Sequence, residues 1–330
     1  MRAGDVTKEI GVRHKIQRGS YMETVMDTAS KGYNSKRLGI FSRFSEMRAL
    51  IAAYRRSPEA RVRNAIAEVL VAIAEIESAL GKPLQDLDIL EIGSGQHSLE
   101  LAVLSNGNRA IGIDQENCDD RLNVRNVLRT MKTDGFIRTA KTVVRKSMGF
   151  DKAKRKEFLR QRGIASFPKL TIMQMDAESM SFPSNSFDVI FSGAVFEHIA
   201  NPEQALRESA RVLRPGGVFN CGFHLYTSDS GCHDARIFAN RRGDLPYWAH
   251  LRNSHRHKVI ENTYLNRLRL KEWRRIIEAT MPGAKVEAMN DGATDANLVS
   301  ELEKIRKNGE LTDYSDEELL SYGVKVLWKR

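Results

Sequence analysis

A short apolar segment that runs directly into a glycine turn is the feature that most restricts the fold of this sequence. Residues 89–92 read Ile-Leu-Glu-Ile, and Gly93-Ser94-Gly95 follows them. A helix-like stretch with spaced leucines comes next, and a second apolar run over 110–113 ends at Asp114. Strand, glycine turn, helix and strand in this order predict a βαβ unit, and therefore a parallel sheet with helices packed against it.

The same alternation continues farther along the chain. Strand-like runs occupy 170–173 and 187–191, and a helix that starts at Asn201-Pro202 leads through a Pro-Gly-Gly turn to a strand over 218–223. Apolar runs around Val286 and over 324–328 are candidates for the last strands. Helical spacing of apolar residues predicts further helices within 41–80, over 122–131, 136–144 and 151–162, and over 269–280.

The net charge of +10 would suit a nucleic-acid ligand, but the charge is unevenly distributed. Residues 115–170 carry 15 Lys and Arg against 6 Asp and Glu, whereas residues 171–330 are almost neutral. The pattern predicts a basic helical insertion at about 115–168 within a main domain over 81–330, and a helical N-terminal cap over 1–80. Four interpretations of the insertion stay open: a solvated helical face, attraction of an anionic substrate, peripheral contact with anionic lipid, or contact with RNA.

Cysteine content and hydropathy exclude several classes of protein. The three cysteines, Cys118, Cys221 and Cys232, have no paired spacing, which argues against a disulfide framework and against a cysteine-based zinc site. The most apolar segment, 65–76, is too short and too charged to cross a bilayer. No apolar run follows the charged first residues, so we expect no secretory signal and a cytoplasmic location.

Polar or small residues follow the ends of four successive predicted strands, where open α/β sheets bind ligands. They are the Gly93-Ser94-Gly95 turn, Asp114, Asp176-Ala177 and Ser192-Gly193. A carboxylate at the end of the second strand can accept hydrogen bonds from both ribose hydroxyls of a bound nucleoside. A NAD-binding domain would use an acid there in the same way, so this feature by itself does not separate the two kinds of cofactor.

Four segments together carry a resemblance to a known family: DILEIGSG (88–95), AIGID (110–114), MDAESMSFPSNSFDVIFSGAVFEHI (175–199) and PEQALRESARVLRPGGVF (202–219). They are similar to the class I S-adenosyl-L-methionine (SAM) dependent methyltransferases, and within these to the ubiquinone/menaquinone methyltransferase-like (type 11) subgroup. The resemblance implies an α/β, Rossmann-like class I methyltransferase fold, with a seven-stranded, mostly parallel sheet and helices on both faces. It also implies an enzyme that binds SAM and releases S-adenosyl-L-homocysteine.

The resemblance further assigns parts of SAM to individual residues. It implies that the methionine part of SAM contacts Glu91, Gly93, Ser94 and Gly95 at the end of the first strand, and that the ribose contacts Asp114 after the second. It also implies that the adenine contacts Asp176 and Ala177 after the third strand. After the fourth, Ser192 and Gly193 would border the sulfonium. Where the family often has a third glycine, this chain has His97.

Transfer of a methyl group to a hydroxyl needs a base with a pKa near neutrality, which favours His. The candidates are His198 after the fourth strand, His224 after the fifth, and His233 in the loop beyond. No spacing of these histidines matches a metal site, so we expect no metal. Tyr247 and Trp248 suit stacking on a sugar face, and they suit packing of their own loop equally well.

The sequence therefore predicts SAM-dependent O-methylation of a small-molecule or glycan-type acceptor by in-line methyl transfer. Two alternatives stay open. One is an RNA-modifying or RNA-binding methyltransferase that uses the basic 115–170 surface. The other is a catalytically silent, methyltransferase-like scaffold, which the bulky His97 in the glycine loop would favour.

Overall fold

The structure, a computed structural model, describes residues 58–95, 99–115, 150–238, 242–261, 263–290 and 292–330. Within these ranges seven strands form one sheet in the order β3-β2-β1-β4-β5-β7-β6. The strands are β1 (Asp88–Ile92), β2 (Arg109–Asp114), β3 (Thr171–Gln174), β4 (Phe187–Gly193), β5 (Leu213–His224), β6 (Lys285–Met289) and β7 (Gly323–Lys329).

Strand direction within the sheet decides where the functional residues lie. Strands β1 to β5 pair in parallel, whereas β7 runs antiparallel to both β5 and β6. The seven-stranded, mostly parallel sheet expected from the resemblance is confirmed, and its order with one reversed strand is that of the class I methyltransferase fold. Because parallel strands end at the same edge, the segments that follow β1 to β5 meet at one side of the sheet.

Helices cover both faces of the sheet, as expected. They are α1 (Pro58–Leu80), α2 (Leu99–Leu104), α3 (Phe150–Arg162), α4 (Pro202–Val212), α5 (Ala235–Phe238), α6 (Leu270–Thr280), α7 (Ala296–Lys307) and α8 (Asp316–Leu320). Short 3-10 turns occupy Phe196–His198, Arg256–Lys258 and Gly292–Thr294. No helix in the described ranges has both the length and the apolar character that a bilayer crossing requires.

Alternation along the buried strands produces two hydrophobic cores. Ile89 and Val189 pack on one face of the sheet with residues of α1 and α2. Their neighbours Leu90 and Ile190 pack on the other face with residues of α4 and α6. This period of two is expected for strands that are covered on both sides, where each face needs its own apolar set.

Strand β5 begins at Leu213, five residues before the start that the sequence predicts. Phe187 pairs with Leu213 and Val189 with Val218, so the intervening Arg-Pro-Gly-Gly residues bulge out of the ladder. Gly216 has a φ of +78° there, and a Cβ on Gly217 would lie 2.8 Å from the carbonyl oxygen of Asp188. The Pro-Gly-Gly turn is therefore a bulge within the strand, not a loop before it.

The structure describes part of the predicted N-terminal cap and part of the predicted basic insertion. Of the N-terminal cap, the structure describes residues 58–80, which form α1 and pack against α2 and α3. Residues 116–149, which make up most of the predicted basic insertion, lie outside the described residues, and so does Cys118. Helices α7 and α8 were not predicted from the sequence.

Candidate active site

The turn after β1 is shaped by one obligatory glycine. Gly93 has a φ of +77°, and a Cβ built on it would lie 2.2 Å from Cγ2 of Val195, in the loop after β4. The amides of Gly93 and Ser94 both donate to the carbonyl oxygen of Ile113, at 2.8 and 3.2 Å. Only glycine combines this backbone conformation with such a close approach, so the turn is tied to both neighbouring strands.

Asp114, at the end of β2, faces the same turn. Its Oδ2 accepts a hydrogen bond from the backbone N–H of Gly95 at 3.0 Å, and the residue is buried. Gly95 has a φ of +58°, and no atom of the described residues lies within 4 Å of the position of its missing Cβ. Within the described residues, the turn and Asp114 therefore border open space at the edge of the sheet.

Glu91 places a carboxyl group just before the turn, at a buried position of β1. Burial raises its pKa well above the ordinary 4.5, and the nearby carboxylates of Glu100 and Asp114 raise it further. Among the described residues, no group donates a hydrogen bond to its Oε2. A buried carboxyl oxygen without a hydrogen-bond donor destabilises the folded chain. A nearby cation would offset this cost, because a positive charge stabilises the ionised carboxylate and lowers its pKa.

The segments after β3 and β4 complete the strand-end set. Asp176 is exposed and accepts the backbone N–H of Glu178 at 2.9 Å, whereas Ala177 is buried in the core. Ser192 is fully buried, and its hydroxyl donates to the carbonyl oxygen of Ile92 at 3.0 Å. Gly193, the last residue of β4, is half-buried. The Ser192 hydroxyl thus joins β4 to β1 at the point where the glycine turn begins.

These positions fit SAM as a bound group. Oε2 of Glu91, which has no donor among the described residues, suits the positively charged methionine part. The space that the described residues leave at Gly95 gives room for a ligand against the backbone. Asp114 offers a carboxylate where the ribose is expected. His97, which stands where the family often has a glycine, lies outside the described residues.

The three candidate bases, spread over 36 positions of sequence, come together in the structure. Nδ1 of His224 lies 3.0 Å from Nε2 of His233, and the ring centroids of His198 and His233 are 5.1 Å apart. All three side chains are buried. His233 has a φ of +53°, a left-handed conformation that is uncommon outside glycine. The loop after β5 thus holds this imidazole against the ends of β4 and β5.

Glu197 is the member of this cluster that the sequence did not reveal. Its Oε1 accepts the backbone N–H of His224 at 3.1 Å and lies 3.9 Å from Nε2 of His198. Among the described residues, neither its Oε2 nor Nε2 of His198 has a hydrogen-bond partner. The available signal was a charged residue inside the otherwise apolar run Ala-Val-Phe-Glu-His-Ile, because such a residue is seldom buried without a specific partner.

Burial keeps the whole cluster uncharged near neutral pH. It lowers the pKa of His198 to about 4 and that of His224 to about 3, and it lowers the pKa of His233 well below its ordinary value. Burial also raises the pKa of Glu197 to about 8, against the opposing hydrogen bond from the His224 amide. The contact between Glu197 and His198 is therefore not an ion pair at neutral pH.

Comparison with known proteins agrees with the fold and the motifs. A family described as "Methyltransferase domain" matches residues 135–221. The ubiquinone/menaquinone biosynthesis C-methyltransferase UbiE of Hahella chejuensis is 44% identical over 48 residues, which is 14% of this chain and 19% of that protein. The chloroplastic 2-methyl-6-phytyl-1,4-hydroquinone methyltransferase 2 of Oryza sativa subsp. japonica is 40% identical over 68 residues, 21% of this chain and 17% of that protein. The chain thus matches less than a fifth of the length of these curated relatives.

Among solved structures, the SAM complex of phosphoethanolamine N-methyltransferase 2 from Haemonchus contortus is 16% identical, with a TM-score of 0.42. That alignment covers 83% of this chain and 58% of the other. The family match, the motif residues at four strand ends and the strand order of the sheet agree with one another. The chain therefore has the strand order of the class I SAM-dependent methyltransferase fold, and its residues 135–221 match the methyltransferase-domain family.

Proposed function

We propose that this chain transfers the methyl group of SAM to a hydroxyl of a small-molecule or glycan-type acceptor. The observation that carries the proposal is the meeting of three buried imidazoles at the ends of β4 and β5, beside the edge where the cofactor motifs lie. A hydroxyl acceptor must lose a proton during methyl transfer, whereas many amine and carbon acceptors need less help from a base.

In this proposal the cofactor is held along the ends of β1 to β4. Glu91 and the Gly93-Ser94-Gly95 turn meet the methionine part, and Asp114 accepts hydrogen bonds from the ribose. Asp176 and the backbone of Ala177 meet the adenine, and Ser192 and Gly193 border the sulfonium. When bound, SAM supplies a methyl group that is already activated by the positive sulfur, so the work of the protein is to position the acceptor.

By geometry, His198 is the imidazole best arranged to receive the acceptor proton. Burial lowers its pKa to about 4, below the near-neutral value expected of a base, so in this proposal it holds the proton only briefly. Its Nδ1 lies 2.8 Å from the carbonyl oxygen of Tyr264, and a carbonyl can only accept. Nδ1 therefore carries the ring proton, which leaves the lone pair on Nε2. Among the described residues Nε2 has no partner, whereas His224 and His233 already contact each other. Oε1 of Glu197 lies 3.9 Å from this nitrogen.

The acceptor and the accessory segments belong to the proposal as well. We propose that residues 81–330 form the methyltransferase domain, with a helical cap over 1–80 and an inserted basic segment at about 115–168. The described part of that segment includes α3, which carries six Lys and Arg against two Asp and Glu. Such a helix favours an anionic acceptor, because opposite charge raises the local concentration of a ligand.

Calorimetry with SAM and S-adenosyl-L-homocysteine tests the cofactor assignment. Asp114→Ala should weaken binding at least about tenfold, which corresponds to about 1.4 kcal/mol, because the ribose contact is lost. The control Asp244→Ala alters a carboxylate whose side chain is 84% exposed and should bind as the unaltered chain does. Folded protein that binds neither compound would refute the proposal.

Transfer of a labelled methyl group from SAM into a cell extract tests the acceptor class. We expect label in small molecules or glycans, and chemical analysis of the product should find a methyl ether. His198→Gln should lower turnover and leave the affinity for SAM unchanged, since the residue acts on the acceptor. Label in RNA would favour an RNA-modifying enzyme, and no label from a chain that binds SAM would favour a silent scaffold.

A further inference from the structure

Three buried side chains near the ends of β4 and β5 lie close enough together to hold one metal ion. One possible ligand atom from each of Glu197, His224 and His233 lies within 4.8 Å of the other two, and all three residues are buried. Charged or ionisable groups are rarely buried together without a specific partner. Each of these buried polar atoms therefore needs a partner, either a hydrogen bond within the cluster or a bound group.

The carboxyl group of Glu197 is oriented by one oxygen and leaves the other available. Oε1 accepts the backbone N–H of His224 at 3.1 Å, which fixes the direction of the group. Among the described residues no donor reaches Oε2. Metal-binding carboxylates commonly have this arrangement, in which one oxygen is hydrogen-bonded and the other binds the ion.

The two imidazoles are spaced almost as two ligands of one ion. Nδ1 of His224 and Nε2 of His233 lie 3.0 Å apart. Two nitrogens bound tetrahedrally to Zn²⁺ at about 2.05 Å would lie about 3.3 Å apart, so a shift of about 0.3 Å converts the pair into a ligand pair. In the absence of an ion, one nitrogen donates its proton to the other. That hydrogen bond accounts for Nδ1 of His224 and Nε2 of His233, but no donor among the described residues accounts for Oε2 of Glu197.

His198, beside the cluster, supplies a second indication that a group binds here. Its Nδ1 lies 2.8 Å from the carbonyl oxygen of Tyr264, and its Nε2 lies 3.9 Å from Oε1 of Glu197. The Nε2 lone pair is buried and has no hydrogen-bond partner among the described residues. Two polar atoms without donors, from adjacent residues of one 3-10 turn, thus border the same cluster.

We propose that Glu197, His224 and His233 bind a divalent transition-metal ion of the zinc type. Two imidazole nitrogens and one carboxylate oxygen suit Zn²⁺ and its neighbours, whereas Mg²⁺ and Ca²⁺ prefer oxygen ligands alone. Three protein ligands leave one tetrahedral position for water or for an oxygen of a substrate. Spacing along the sequence does not indicate this set of ligands, because they come from three segments that only the fold brings together.

The proposal goes beyond methyl transfer and does not depend on it. The ion would be held by residues outside the cofactor turn. Zinc content and SAM affinity are measured separately on the same protein. A chain that binds zinc but not SAM would contradict the proposed function alone, and a chain that binds SAM but not zinc would contradict the metal site alone.

The test uses the full chain, stripped with a chelator, reloaded with Zn²⁺ or Co²⁺ and freed of excess ion by gel filtration. We expect about one Zn²⁺ per chain by elemental analysis, and visible absorption bands from bound Co²⁺ that indicate four or five ligands. Glu197→Gln keeps an oxygen for the His224 amide but removes the anionic ligand. It should lower the affinity for Zn²⁺ at least about tenfold.

Two further variants make the result specific. His233→Gln should also lose zinc, whereas His257→Gln, at an exposed position, should keep the full content. Circular dichroism of each variant checks that it is folded. An unaltered chain that retains no Zn²⁺ and shows no Co²⁺ bands would overturn the proposal. So would folded Glu197→Gln and His233→Gln proteins that both bind Zn²⁺ as tightly as the unaltered chain.

Discussion

Replacement of Gly93 by alanine should damage the fold at the point where the cofactor turn touches the loop after β4. The added Cβ would lie 2.2, 2.8 and 3.0 Å from Cγ2, Cγ1 and Cβ of Val195. Rotation of the Val195 side chain cannot relieve the contact, because its Cβ is itself too close and its branched chain has few rotamers. Either the turn or the loop must move.

The expected cost has two parts. Alanine at the φ of +77° loses about 1–2 kcal/mol as a left-handed L-residue. Overpacking against Val195 adds about 1–3 kcal/mol, so the free energy of unfolding should fall by about 2–5 kcal/mol. Gly283 offers a matched control, since its φ is +74° and no atom of the described residues lies within 4 Å of its missing Cβ. Gly283→Ala should lose only the backbone part, about 1–2 kcal/mol.

Urea unfolding, followed by circular dichroism, measures both variants against the unaltered chain. The double variant Gly93→Ala/Val195→Ala removes both γ carbons from the contact. It should be less destabilised than the sum of the single variants, with a coupling of about 1 kcal/mol or more. Equal losses for Gly93→Ala and Gly283→Ala, with no coupling to Val195, would refute the close-contact reasoning.

Two further predictions concern charge and capping. Hydrogen bonds from Arg109 and Arg214 lower the pKa of Asp88 below its ordinary 3.8, so its stabilisation is complete above that value and is lost as the pH falls through the lower, folded-state pKa. Asp88→Asn should therefore flatten the loss of stability between about pH 5 and about pH 2 in urea titrations, and an unchanged slope would contradict this. The Asn201 side chain accepts the Gln204 amide at 3.2 Å, at the start of α4. Asn201→Ala should cost about 1 kcal/mol in the same assay, and an unaltered midpoint would argue against the cap.

The sheet could be predicted from the sequence because its signals are local. Each of the segments 89–92, 110–113 and 187–191 is a short apolar run that ends at a glycine, an aspartate or a serine, and each is a buried strand in the structure. The Asn201-Pro202 start of α4 is local in the same sense, and it is confirmed by the capping hydrogen bond. Such patterns depend on neighbours in sequence, which the sequence displays directly.

The histidine cluster could be predicted only as separate candidates. His198, His224 and His233 were each identified by position relative to a strand, but their contacts depend on the register between β4 and β5, which places Gly193 opposite Gly222. Glu197 takes part only because that register brings the His224 amide to its carboxyl group. Sequence spacing contains no information about such contacts between distant segments.

The position of β7 has a consequence for the order in which the sheet can form. In the described sheet β6 pairs with β7 alone, and β7 lies between β6 and β5. When β6 has been synthesised it therefore has no partner, and the edge of β5 stays open until residues 323–329 arrive. The intervening helices must reach a compact arrangement first, so this half of the sheet depends on distant contacts and should be the slower one to fold. An open β5 edge is also a template for pairing with another chain, which makes this interval the period of greatest risk of aggregation.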